Sequence, residues 1–259
     1  MKRRAFVATS LAAGLGTLGA AASGESGGPP AKEFYELREY KMASAAKAEA
    51  MEAFYRDVGV PAWNRVGIRP VGVFRMMEGD DPTLFVLLPH PTVESVVTAT
   101  DRVMADPEYL KAGEAVLDAP ITDPAYLRRE SSLLVAFDAM PKLEVPTTKP
   151  TRVLQLRTYE SHSVLKGRKK VEMFNKGGEI AIFRRVGMNP VFFGEALIGS
   201  KLPCLTYMLG FDDKEAQDKA WAAFRDDPAW LELKAKEEYK DTVSNITNLV
   251  LRPSPASQI

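Results

Sequence analysis

The sequence predicts an α+β protein made of two tandem ferredoxin-like units, each with the order β-α-β-β-α-β, whose sheets pair with each other. Two observations predict this fold: the chain repeats itself once, and both copies show strand and helix periodicities in the same order. The helices of such a unit cover only one face of its sheet. Because residues on both sheet faces are apolar, we expect the two sheets to cover each other around a barrel-like space.

Three short motifs occur twice, in the same order and at a nearly constant offset of 119 to 121 residues. The first copy reads FYELREY at 34–40, RVGIRPV at 65–71 and DPEYL at 106–110, and the second reads VLQLRTY at 153–159, RVGMNPV at 185–191 and DPAWL at 227–231. Ordered matches at one spacing indicate a duplicated unit of about 100 residues, which is an ordinary domain size.

Four strands are predicted in each unit from alternating or apolar segments bounded by turn residues. In chain order they are 33–40, 71–77, 84–88 and 132–137 in the first unit, and 152–159, 191–197, 205–209 and 246–251 in the second. A valine-glycine turn precedes the second strand of each unit. A turn rich in glycine and proline separates the second strand from the third.

Helices are predicted after the first and third strands from apolar residues at helical spacing. The positions that carry this pattern are Ala48, Met51, Phe54, Tyr55 and Val58, then Val93, Val96, Val97 and Val103, and in the second unit Val164, Val171 and Phe174, then Ala216, Ala220, Trp221 and Phe224. A further helix is predicted at each Asp-Pro pair, because aspartate caps a helix and proline fits its first turn.

These elements divide the chain into six parts. They are an export signal at 1–22, a flexible leader at 23–32, a first domain at 33–137, a proline-rich linker at 138–150, a second domain at 151–253 and a tail at 254–259. The signal begins with Lys2, Arg3 and Arg4 and continues without charge through 5–22, which resembles a twin-arginine signal, with the Sec route as the alternative. We therefore expect an exported protein, periplasmic or extracellular.

The composition excludes several classes of function. Lysine plus arginine and aspartate plus glutamate number 34 each, so no basic excess is present to neutralise nucleic-acid phosphates. One cysteine and two histidines exclude an internal disulfide framework and disfavour a metal site built from such residues. We expect no nucleic-acid partner and no stable membrane anchor after removal of the signal, and we leave homo-oligomerisation open.

The YELREY, RVGIRPVG and DPEYL motifs, with LQLRTY, RVGMNPVF and DPAWL in the second copy, resemble the NIPSNAP family of the dimeric α/β-barrel superfamily. The resemblance covers nearly all of the chain from about Phe34 to Arg252. It implies a barrel of two paired sheets, usually formed between two chains and here supplied by one. It implies no catalytic residue set. Related branches include cofactor-free monooxygenases, haem-dependent enzymes and small stress-responsive proteins, and fold alone does not choose among them.

Alternation along the first strand of each unit gives the candidate ligand-binding residues. Tyr35, Leu37, Leu154 and Leu156 form the more apolar set and are expected to pack on the helices. The opposite set then faces the space between the sheets, and it consists of Glu36, Arg38, Tyr40, Gln155, Arg157 and Tyr159. These arginines and tyrosines are suited to bind the oxygens of an anionic or carbonyl-bearing small molecule. The alternative is a set of structural ion pairs and hydrogen bonds between the sheets.

The remaining reactive residues give weaker signals. His90 and His162 occupy non-equivalent positions in the repeat, and we interpret both as loop or surface residues. No cofactor is predicted, although a haem role for a histidine is left open. Cys204 is interpreted as a core residue and not as a nucleophile.

Three hypotheses about function follow. The first is a protein of unassigned activity that binds a small molecule between the sheets. The second is an enzyme of the monooxygenase-like or haem-dependent type using the same space, and the third is a structural or assembly role. The sequence leaves open whether the protein is an enzyme.

Overall fold

A computed structural model describes residues 31–259, so the predictions of an export signal and of most of the leader lie outside the described residues. The first unit contains strands β1 to β4 and the second contains β5 to β8. Their bounds are β1 Phe34–Lys41, β2 Gly72–Met76, β3 Leu84–His90, β4 Arg128–Ala136, β5 Val153–Glu160, β6 Asn189–Ile198, β7 Cys204–Phe211 and β8 Asn245–Pro253.

Helices lie between these strands at the predicted places. Their bounds are α1 Ala45–Phe54, α2 Val60–Arg65, α3 Val93–Met104, α4 Pro107–Leu117, α5 Val164–Asn175, α6 Glu179–Arg185, α7 Lys214–Asp226 and α8 Pro228–Ala235. Asp106 and Asp227 cap α4 and α8 with proline at the first position, as predicted. None of the helices between residues 31 and 259 is long and apolar enough to cross a membrane.

The eight strands form one closed barrel in the order β1-β3-β2-β8-β5-β7-β6-β4, with β4 paired to β1. Each half therefore has the ferredoxin-like strand order, in which the first strand lies between the third and the fourth. The halves join edge to edge through the antiparallel pairs β2–β8 and β4–β6. The predicted α+β fold of two ferredoxin-like units with paired sheets is confirmed.

Apolar side chains fill the barrel interior, and the predicted orientation of the first strands is wrong. Tyr35 and Leu154 are buried inside the barrel, where Leu37 and Leu156 also pack, so this set does not face the helices. The reason is physical: a closed barrel has no access to water, so its interior takes the more apolar face of each strand. The polar set consequently faces the helices.

The segments at 138–150 and 254–259 are bound along the barrel. The linker is held where Leu143 N donates to Glu33 Oε2 and Glu144 N donates to Val191 O. The terminal residues follow β2, with Gln258 N donating to Val71 O, and Ile259 is buried in the barrel interior. Both segments thus contribute hydrogen bonds or apolar contacts to the barrel.

His90 is fully buried at the end of β3, on the side that faces α3. Its Nδ1 lies 3.1 Å from Ser95 Oγ, and its Nε2 has no hydrogen-bond partner. Burial lowers the pKa of His90 from 6.5 to about 4, although the charge of Glu36 opposes this shift. A neutral ring is therefore part of the folded core at neutral pH.

Truncation of a side chain in the barrel interior tests how the two halves pack. Phe192 is completely buried in the interior and contacts Tyr35 with ring centroids 5.0 Å apart. We expect Phe192→Ala to lower the free energy of unfolding by about 3–5 kcal/mol, because it removes apolar contacts and leaves a cavity. Denaturant unfolding measures this change. Ile121→Ala, at a side chain that is 96% exposed, is the control and should change stability by less than about 0.5 kcal/mol.

Acidification tests the buried histidine. Between pH 6.5 and about 4 the unfolded chain binds a proton at His90 that the folded chain does not bind, so stability falls as pH falls. The expected loss from this group is about 1–2 kcal/mol between pH 7 and pH 5. His90→Phe removes the titration and repeats the residue at the matching register position, Phe211. An unchanged pH dependence of unfolding in this variant would contradict the assignment.

Candidate functional site

The six candidate residues lie in two groups, one in each unit, between the sheet and its helices. This corrects the prediction that they face the space between the sheets. Apolar side chains fill most of that space, apart from a cavity of about 120 Å³ at one end, whose lining combines Leu37 and Leu156 with polar and charged residues such as Glu39, Thr158 and Lys201. Arg38 and Tyr40 line one cavity, which we name the first-unit pocket, and Glu36 lies beside Arg38 outside that lining. Gln155, Arg157 and Tyr159 line a separate cavity, which we name the second-unit cleft.

The first-unit pocket has a volume of about 190 Å³ and lies between β1 and helices α1 to α4. Its lining is aromatic and apolar, with Arg38 and Arg129 as its charged members. The aromatic residues that line it are Tyr40, Phe54, Tyr55, Trp63, Tyr109 and Tyr126. The Tyr55 hydroxyl donates to the Tyr40 hydroxyl at 2.9 Å, and burial raises the pKa of Tyr109 to about 12. At neutral pH the Tyr109 phenol therefore remains protonated.

Glu36 pairs with Arg38, one of the two arginines that line this pocket. Arg38 donates from Nε to Glu36 Oε1 at 2.7 Å and from Nη2 to Oε2 at 2.8 Å, and its guanidinium lies 4.9 Å from the Trp63 ring. Ser131 adds a third hydrogen bond to Glu36 at 2.7 Å. Burial alone would raise the pKa of Glu36, but the hydrogen bonds and charge of Arg38 outweigh it and hold this pKa below its ordinary value.

The second-unit cleft is larger, with a volume of about 820 Å³, and lies between strands β5 and β8 and the helices of the second unit. Three of the candidate residues line it: Gln155, Arg157 and Tyr159. Its other polar and aromatic lining residues are Lys170, Glu179, Lys214, Gln217, Asp218, Trp221, Phe224, Arg225, Trp230 and Asn248.

No carboxylate between residues 31 and 259 pairs with Arg157, which lines this cleft. Its one hydrogen bond runs from Nη1 to Asn248 Oδ1 at 3.4 Å, and its Nε is buried without a partner. The guanidinium lies between two rings, 4.7 Å from the centroid of Trp221 and 5.4 Å from that of Tyr159. These cation–π contacts hold the group in place, but they do not neutralise its charge.

Gln155 occupies the position that corresponds to Glu36 in the repeat. Its amide is neutral, so it leaves the charge of Arg157 uncompensated. Its Oε1 accepts a hydrogen bond from Trp221 Nε1 at 2.6 Å, and its Nε2 donates to Asn248 Oδ1 at 2.7 Å. Both ends of the amide are therefore occupied. The amide acts as a support for Trp221 and Asn248 and leaves the guanidinium to the cleft.

Lys170 and Glu179 form a buried ion pair in the wall of the cleft, with Nζ 2.8 Å from Glu179 Oε2. The Lys170 ammonium also lies 4.5 Å from the Phe174 ring centroid and 5.9 Å from that of Trp230. Burial raises the pKa of Glu179, although the charge of Lys170 opposes the shift. Sequence reasoning missed this pair, because neither residue lies in a strand or in a recognised motif.

The charge of the cleft is positive overall. Four cations line it, Arg157, Lys170, Lys214 and Arg225, against the two carboxylates Glu179 and Asp218. Glu179 pairs with Lys170, and Asp218 pairs with Lys214. Within residues 31–259 this leaves two of the four cations, Arg157 and Arg225, without a carboxylate partner. Gln217 lines the same cleft, and its Oε1 is buried without a hydrogen-bond partner among these residues. Such a cleft is suited to an anion.

The histidines and the cysteine lie apart from both cavities. His162 is partly exposed, with Nε2 3.7 Å from Asp241 Oδ2, and His90 is buried beside Ser95. Cys204 is half-buried at the start of β7, where burial raises the pKa of its thiol to about 11. Between residues 31 and 259, no group of three or more histidine, cysteine, aspartate or glutamate side chains is placed to hold a metal ion.

Solved structures show the same fold across most of the chain. A monooxygenase-like protein from Lactobacillus acidophilus has a TM-score of 0.57 and 10% identity, covering 86% of this chain and 94% of its own. A second, from Fusobacterium nucleatum, has a TM-score of 0.56 and 7% identity, covering 87% and 94%. An anthrone oxidase-like protein has a TM-score of 0.52 and 13% identity, covering 86% and 91%. At these identities the likeness concerns the fold.

Sequence comparison identifies the family. A search of curated protein sequences finds no match. The family model of NIPSNAP matches twice, over residues 35–122 and again over 154–258, which together make up more than half of the chain. The first match covers β1 to β3 with their helices, and the second covers β5 to β8. The protein belongs to the NIPSNAP family, with two NIPSNAP units in one chain.

Proposed function

We propose that the protein binds a small organic anion with a planar, aromatic body in the second-unit cleft, with Arg157 as the anchor. The observation that carries the proposal is the guanidinium of Arg157, which lines an open cleft without a carboxylate partner. A partly buried, unpaired charge is unfavourable, and a ligand carboxylate or enolate removes this cost by pairing with it. Arg38, at the equivalent position in the first unit, is already paired with Glu36 and therefore does not support an anion site.

The walls of the cleft support a planar ligand body. Trp221, Phe224 and Trp230 form a chain of aromatic contacts, with ring centroids 5.7 Å and 4.5 Å apart. Trp221 also lies against Arg157, so a planar ligand whose anionic end pairs with the guanidinium lies next to an aromatic surface. Stacking and charge pairing would then act on two ends of one molecule.

A second candidate function is oxidation of such a ligand by molecular oxygen. Its support is the fold that this chain shares with monooxygenase-like proteins over 86% or more of its length. An activated anion with an electron-rich ring is a suitable substrate class for that chemistry, and Arg157 would hold it in the ionised form. Oxygen uptake on addition of a bound anion separates this candidate from simple binding.

Binding of 2-naphthoate to the full chain tests the proposal by isothermal titration calorimetry. We expect one site, with 2-naphthamide at least about 10-fold weaker because it lacks the charge. Arg157→Gln should weaken 2-naphthoate binding by about 10- to 100-fold, the range expected for charge-assisted hydrogen bonds of about 1.5–3 kcal/mol. Arg168→Gln, at an exposed arginine of α5, is the matched control and should leave the affinity unchanged.

Two results would contradict the proposal. One is equal affinity for the naphthoate and the naphthamide, which would mean that charge plays no part. The other is an Arg157→Gln protein that is folded by circular dichroism and binds 2-naphthoate as tightly as the unaltered chain does. An absence of binding by every anion tried would favour the structural or assembly role.

A further inference from the structure

We propose that the residue at repeat position 36/155 decides whether the arginine two residues further along is free to bind an anion, so that the anion position at Arg38, in the wall of the first-unit pocket, is taken by the protein's own Glu36. This inference deepens the proposed function and rests on it. It assigns the specificity of the second-unit cleft to Gln155, a residue that supports Arg157 without neutralising it.

The two sites match in their framework. Arg38 on β1 lies opposite Ser131 on β4, and Arg157 on β5 lies opposite Asn248 on β8. Each guanidinium lies over an indole ring, at 4.9 Å in the first unit and 4.7 Å in the second. The two arginines therefore occupy equivalent places in the repeat.

The tyrosines two residues further along extend the match. Tyr40 shares a hydrogen bond with Tyr55 at 2.9 Å, and Tyr159 shares one with Tyr207 at 3.0 Å. An indole over the arginine and a phenol pair beside it are thus present in both units, although the indoles and the second phenols come from different elements: Trp63 lies in α2 and Trp221 in α7. The strand residues that do correspond are the arginine, the tyrosine and the residue at 36/155, and of these only the last changes from a carboxylate to a neutral amide.

Glu36 occupies the place that a ligand carboxylate would take. It binds Nε and Nη2 of Arg38 in the bidentate arrangement that arginine forms with carboxylates. Because this carboxylate belongs to the same strand, it is present at a far higher local concentration than any ligand in solution. Arg38, in the wall of the first-unit pocket, is therefore not free to pair with an anion from solution.

Gln155 cannot do the same in the cleft. Its amide is neutral, and its two ends bind Trp221 and Asn248 rather than Arg157. Arg157 keeps its charge and most of its hydrogen-bond donors for a ligand. Exchanging glutamate and glutamine at position 36/155 should therefore change whether the arginine of that unit is free to bind an anion.

The first experiment closes the cleft. Gln155→Glu places a carboxylate two residues from Arg157, as in the first unit, and should weaken 2-naphthoate binding by at least about 10-fold in calorimetry. Gln155→Leu is the matched reference: it loses the same hydrogen bonds without adding a charge, so Gln155→Glu should bind 2-naphthoate at least about 10-fold more weakly than Gln155→Leu does. Equal losses in both variants would mean that Gln155 acts structurally, and the inference would be wrong.

The second experiment opens the first-unit pocket. Glu36→Gln leaves the buried Arg38 without its carboxylate and should lower the melting temperature. Formate, as the smallest carboxylate, should then raise the melting temperature of this variant more than that of the unaltered chain. The double variant Glu36→Gln with Arg38→Gln is the control and should lose the formate effect. A formate response identical in all three proteins would overturn the assignment of the pocket.

The outcomes of these experiments distinguish a failure of the proposed function from a failure of the inference about position 36/155. If the unaltered chain does not bind 2-naphthoate, the proposed function fails. If it binds and Gln155→Glu binds equally well, the proposed function stands and the inference about position 36/155 fails. If Glu36→Gln does not fold, the comparison of Gln155→Glu with Gln155→Leu decides alone.

Discussion

The closure of the barrel by two edge pairings is the constraint on which the rest of the structure depends. Strand β2 pairs with β8, and β4 pairs with β6, so every strand of both sheets has two neighbours. Closure removes the exposed edges that would otherwise pair with other chains, and it shuts the interior off from water. Most of the interior is therefore apolar, and the polar alternates of β1 and β5 are placed against the helices.

That placement explains where charge appears in the protein. Arginines on β1 and β5 face layers of helices that leave cavities above the sheet, and each unit treats its arginine differently. In the first unit a glutamate two residues away on the same strand face completes an ion pair. In the second unit a glutamine occupies that position, and the arginine is held by two aromatic rings and one hydrogen bond to Asn248. The two arginines occupy equivalent strand positions, and the residue two positions before each of them, glutamate or glutamine, gives them different electrostatics.

Much of the fold could be predicted because it depends on local patterns. The repeat, the alternation of Phe34 to Tyr40 and the Asp-Pro helix starts each depend on residues close in sequence, and all agree with the structure. The choice of face was wrong because alternation separates two faces without saying what covers each. The Lys170–Glu179 pair could not be predicted, since it forms between two helices whose relative position is set by packing.

The amino-acid sequence was sufficient to predict the two units, their element order, their family motifs and which polar residues share a strand face. These follow from periodicity and from repetition along the chain. The tertiary structure alone decided that these polar residues face the helices, that Arg38 is neutralised and that Arg157 is not. Those outcomes depend on distances between side chains, on the closure of the barrel and on the depth of each cavity, which a linear pattern does not contain.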